Sequence, residues 1–124
     1  MSADFHLITR RRPAAPAFSR LLSEAAGRAV DITGDFTDPN DYLNITTDDD
    51  GIWIELEPPG HVEYDDLRAM YPDDVTLPEP DDQGCLWYTY ASVPAGAPPL
   101  GSAVIGQTFQ RLARDYDGIA LDPE

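Results

Sequence analysis

The sequence predicts an α+β domain, a mainly antiparallel sheet with two helices packed on one face, and three observations predict it. Four segments, 4–9, 42–47, 51–57 and 85–93, carry the alternation or the aromatic and β-branched richness of strands. Two others, 14–28 and 102–115, repeat their apolar residues at helical spacing and leave the opposite side polar. Asp-Gly between two alternating runs marks a hairpin, because glycine accepts the positive φ that tight turns demand.

Taken in order, Asp4–Thr9 alternates with Phe5, Leu7 and Thr9 on one face, and Arg10 to Pro13 ends it. In the helix over 14–28, Phe18, Leu21, Leu22 and Ala25 form one stripe, and Gly27 stands where glycine stops helices. Residues 31–41 are turn chemistry: Asp, Gly, Pro and Asn. The hairpin pairs 42–47 with 51–57, and Pro58-Pro59-Gly60 is expected to close it. A short helix over 61–71 follows, with Tyr64, Leu67 and either Met70 or Tyr71 inward. Residues 72–84 form an acidic, proline-rich loop before the strand 85–93. The helix over 102–115 takes Ser102 as its N-cap and buries Ile105, Phe109, Leu112, Ala113 and Tyr116. Residues 117–121 turn into a short last strand. This order fits a ferredoxin-like plan with an acidic insertion over 58–84. Right-handed crossovers place both long helices on one side of the sheet.

A chain of 124 residues makes one domain, 1–124, large enough to fold without disulfide or metal. The single cysteine, Cys85, excludes an intrachain disulfide and reads as an inert core thiol; a cysteine-based metal site is not expected from one such residue. No segment reaches the ~20 apolar residues of a membrane span, and the first residues lack a signal-peptide pattern, so the expected location is cytoplasmic. All basic residues are arginine, which fits the codon composition of a high-GC bacterium.

Charge is unevenly distributed. Residues 1–28 hold five arginines and two acids; 29–110 hold seventeen acids and only Arg68; 111–124 hold two arginines and four acids. The middle of the chain therefore carries the whole excess behind the net charge of −15. Such a field repels nucleic acid and anionic membranes, and it attracts and steers a basic protein.

No phosphate loop, zinc-protease motif or nucleophile elbow is present, so neither enzyme nor cofactor is expected. His6 and His61 are unpaired by spacing and read as structural or surface residues. Asp48-Asp49-Asp50-Gly51 lacks the alternation and distal glutamate of a calcium loop and reads as a hairpin turn. The candidate site is an open sheet face. If Ile52, Ile54 and Leu56 face the helices, Trp53, Glu55 and Glu57 face away; otherwise Trp53 packs beneath the insertion in a second small core. On 85–93, either Leu86, Tyr88 and Tyr90 or Cys85, Trp87 and Thr89 face away. Trp53 and Trp87 are candidate anchors, with Asp65, Asp66, Asp73, Asp74, Glu79, Asp81 and Asp82 as an acidic rim.

The ending Phe109-Gln110-Arg111-Leu112-Ala113-Arg114-Asp115-Tyr116-Asp117-Gly118-Ile119-Ala120-Leu121-Asp122-Pro123 resembles that of small immunity proteins of bacterial polymorphic toxin systems. That resemblance implies a cognate toxin neutralised by tight binding over its active site. For so acidic a chain it implies a toxin with a basic surface, such as a nuclease. The alternative is an adaptor or chaperone-like module of a secretion or regulatory complex.

Overall fold

The computed structural model describes residues 2–49 and 51–123. The elements are β1 (Ala3–Thr9), α1 (Ala15–Ala26), β2 (Asp31–Thr33), β3 (Leu43–Thr46), β4 (Trp53–Glu63), α2 (Tyr64–Met70), β5 (Cys85–Val93), α3 (Leu100–Asp115) and β6 (Gly118–Leu121). All six strands join one antiparallel sheet in the order β2-β3-β4-β5-β1-β6. The fold is α+β. Within the sheet β6, β1, β5 and β4 lie side by side, and β3 and β2 extend it beyond β4.

Strand alternation sorts residues onto two faces. Phe5 and Leu7 of β1, Leu43 and Ile45 of β3, Ile54 and Leu56 of β4, and Ala91 and Val93 of β5 are buried together. They meet the stripes of α1 (Phe18, Leu21, Leu22) and α3 (Val104, Ile105, Phe109, Leu112). Phe109 meets Phe18 edge to face at a centroid distance of 6.2 Å. Gly27 ends α1 in the left-handed conformation, where it avoids the Cβ penalty of other residues. Gly118 opens β6 so close to β1 that an added Cβ would collide with the Ile8 carbonyl oxygen.

On the opposite face Ile8, Leu67, Leu77 and Leu86 form a second, smaller core, supported by Val62, Tyr64, Tyr71, Val75 and Tyr88. Thus α2 and the loop after it roof one end of that face. Of the two inward candidates at the end of α2, Tyr71 is partly buried and Met70 is 57% exposed.

Three elements and the burial of one side chain differ from the sequence expectation. Asp31–Thr33, read as turn, forms a three-residue edge strand on β3. Pro58-Pro59 does not end the hairpin strand: β4 continues to Glu63 through a bulge between Glu57 and Gly60. A bulge accommodates the two missing N–H donors, since the ladder is interrupted there anyway. Helix α3 starts at Leu100 with Pro99 at its cap, so Ser102 lies inside the helix and caps nothing. Cys85 is half-buried at the start of β5, outside both cores. The middle of the 48–51 turn, Asp50, lies outside the described residues.

Candidate functional site

The six strands contain no arginine or lysine. Cations are absent from strands because the arginines follow β1 or lie on or beside the helices. Arg11 pairs with Asp117 at 3.0 Å, Arg28 with Asp49 at 2.5 Å and Arg111 with Glu24 at 2.7 Å. Arg28, with help from Thr47 and the Gly51 N–H, holds the Asp49 carboxyl down to about 2. Asp49 is thus already occupied by protein donors. Arg68, the one cation between residues 29 and 110, donates to the carbonyls of Val75 (2.6 Å), Tyr71 and Pro72. It fastens the start of the acidic loop to α2.

The face opposite α1 and α3 therefore presents acids without strand cations. Register fixes its membership, because directly opposed residues share a face. Asn44 opposes Glu55, Thr46 opposes Trp53, Glu55 opposes Ser92, Glu57 opposes Tyr90, and Tyr90 opposes His6. Trp53 is 40% exposed and takes no part in the second core. Of the two placements open to it, the uncovered one holds. On β5 the side chains turned to this face are Leu86, Tyr88 and Tyr90. Leu86 and Tyr88 lie under the α2 roof, and Tyr90 lies toward the uncovered part.

Hydrogen bonds stiffen the open patch. The Tyr90 hydroxyl donates to Asp4 at 2.6 Å. Burial first, then that bond and the Asp4 charge, pushes the phenol up to about 12. The Glu57 carboxylate beside exposed Tyr42, with Glu55 further off, raises the pKa of that phenol. Both phenols thus remain neutral donors. His6 Nδ1 lies 2.7 Å from the Tyr88 hydroxyl and 3.2 Å from that of Tyr71. A groove of about 540 Å³ runs beside this cluster, lined in part by Asp4, His6, Tyr71, Asp74 and Asp122.

Burial lowers the His6 pKa, and Asp4 offsets this only in part. The unfolded imidazole gains a proton near its ordinary value of 6.5, where the folded one still resists. This contribution is complete above the unfolded pKa and is lost as pH falls toward the folded pKa. Urea midpoints measured at about pH 7.5 and about pH 5.5 should therefore fall more for the natural chain than for His6→Gln. Equal falls would exclude His6 as the source. The depressed carboxyls Asp35, Asp49 and Asp81 titrate below this window.

The rim residues divide. Asp65 and Asp66 occupy the first turn of α2, and both are exposed, as are Asp73, Asp74, Glu79 and Asp82. Asp81 instead turns toward His61. Trp87 does not join Trp53. It opposes Thr9 and His61 on the other face, stacks on His61 at 4.5 Å, and has the Arg12 guanidinium 5.3 Å from its ring. Sequence reasoning missed Tyr42 and Asp4 as members of the patch and named Tyr90 in one of two alternatives for β5; the alternation of Leu43 and Ile45 would have flagged Tyr42. Among the described residues no helix is long and apolar enough to cross a membrane. Comparison with protein-family models, curated proteins and solved structures yields no match to this chain.

Proposed function

We propose that this chain is an acidic protein-binding inhibitor of the immunity type, which neutralises a basic effector or toxin, such as a nuclease, by direct binding. The observation that carries the proposal is the uncovered half of the second sheet face. There Trp53 stands among Glu55, Glu57, Tyr42, Tyr90 and Asp4, with no arginine or lysine on any strand. An exposed indole amid neutral phenols and carboxylates has the make-up of an interface anchor with a polar surround. The exposed acids of α2 and its following loop extend the negative field over the roofed end, which favours rapid encounter with a positively charged partner. The similarity of the C-terminal residues to immunity proteins supports the same reading.

Affinity capture tests it. The natural chain, used as bait in an extract of its own source, should retain a basic protein that elutes with salt. The Trp53→Ala/Glu55→Gln/Glu57→Gln variant should not retain it. Expression of the captured protein alone should arrest growth, and co-expression of this chain should relieve the arrest. Capture that the triple variant leaves unchanged would count against the open face. A captured partner harmless on its own would point to an adaptor instead.

A further inference from the structure

The continuation of β4 past its bulge creates a second constellation. Without the bulge, His61 and Glu63 would share the face of Trp53, Glu55 and Glu57 by simple alternation. The extra residue at Pro58-Pro59 reverses that phase. His61 then opposes Trp87, and Glu63 opposes Cys85, on the face that carries α1 and α3. The loop returning to β5 lays Asp81 onto this pair. One Asp81 carboxylate oxygen accepts the backbone N–H groups of Gln83 (2.9 Å) and Cys85 (3.0 Å). The other lies 2.7 Å from His61 Nε2. Stacking on Trp87 fixes the imidazole plane.

One donor atom from each of His61, Asp81 and Cys85 lies within 4.8 Å of the other two. Tetrahedral coordination with bonds of roughly 2.0–2.3 Å sets ligands about 3.2–3.8 Å apart. The His61–Asp81 separation of 2.7 Å lies below that range and the trio's limit of 4.8 Å above it, so binding requires the side chains to adjust around the ion. We propose that His61, Asp81 and Cys85 bind a divalent transition-metal ion of the zinc class, with the fourth position open toward solvent. The donor set selects the class: imidazole nitrogen and thiolate sulfur suit zinc-like ions, whereas magnesium and calcium take oxygen. The backbone N–H groups on Asp81 and the indole under His61 orient the ligands, as outer contacts do in metal sites. Burial, Asp81 and Glu63 raise the Cys85 thiol pKa. A dication reverses that local electrostatic balance and stabilises the thiolate. On binding, the ion takes the place of the hydrogen bond between His61 Nε2 and Asp81, the neutral imidazole carries its one proton on Nδ1, and the thiol proton leaves to solvent. The bound ion clasps the 78–84 loop to the end of the sheet.

Cobalt(II) added to the reduced 124-residue chain tests this, because thiolate ligation gives a charge-transfer absorption that carboxylates cannot produce. The expected result is a band saturating at one ion per chain. It should be abolished by zinc, unmoved by equimolar magnesium, lost in Cys85→Ser and His61→Ala, and kept in Asp73→Asn. In the natural chain, zinc should shift the imidazole NMR signals of His61 and leave those of His6 in place, a readout that needs no variant to fold. Absence of the band, its survival in His61→Ala, saturation at one ion per two chains, or an unmoved His61 signal would each overturn the site.

Discussion

Phe109→Ala is expected to destabilise the domain by about 3–5 kcal/mol, the range for removing a fully buried phenylalanine. Phe109 has no solvent exposure and stands where α3, α1 and the sheet meet, edge to face with Phe18. Phe18 in turn packs on Phe36 at 5.1 Å, so the loss reaches the segment beyond α1. A domain of ordinary stability has about 5–15 kcal/mol in all. Truncation therefore removes a large share of it and should lower the melting temperature by roughly 10–20 °C. Met70→Ala, at a side chain 57% exposed, serves as the control and should stay within about 0.5 kcal/mol. A near-neutral Phe109→Ala would mean that the helices do not share the core described above.

The second large effect concerns binding. Truncating an indole at the centre of an interface costs about 2 kcal/mol or more, equivalent to about a 30-fold rise in Kd. Trp53→Ala should produce a loss of that size for the captured partner. Neutralising Glu55 and Glu57 should act mainly on the association rate and its salt dependence, because partly exposed carboxylates steer more than they hold. Stability should change little in all three variants, since none of these side chains belongs to either core.

The sequence made some of this architecture legible for definite reasons. Helices α1 and α3 were readable because each repeats its apolar residues at helical spacing, and strand β5 because its nine residues are rich in aromatic and β-branched side chains. Trp53, Glu55 and Glu57 were readable as one face because Ile52, Ile54 and Leu56 are so clearly the other. Strand β2 was not, because three exposed residues rich in turn chemistry acquire strand geometry only from pairing with β3. Both parities of β5 carry aromatic residues, so alternation alone did not tell which face Trp87 occupies; its register with Thr9 and His61 does. The His61–Asp81–Cys85 group was invisible because its spacing matches no metal motif and its assembly depends on a bulge at two prolines, residues normally taken to end a strand. Asp81 looked like one more rim acid, and only the turn into β5 directs it inward.

The most direct measurement sets the two tryptophans against each other. Binding of the captured basic partner is titrated with the natural chain, Trp53→Ala and Trp87→Ala, each first confirmed folded by circular dichroism. Docking on the open acidic face predicts about a 30-fold weaker Kd for Trp53→Ala. It predicts an almost unchanged Kd for Trp87→Ala, which lies on the opposite side of the sheet beside His61. Full affinity in Trp53→Ala, with the loss found in Trp87→Ala instead, would contradict it.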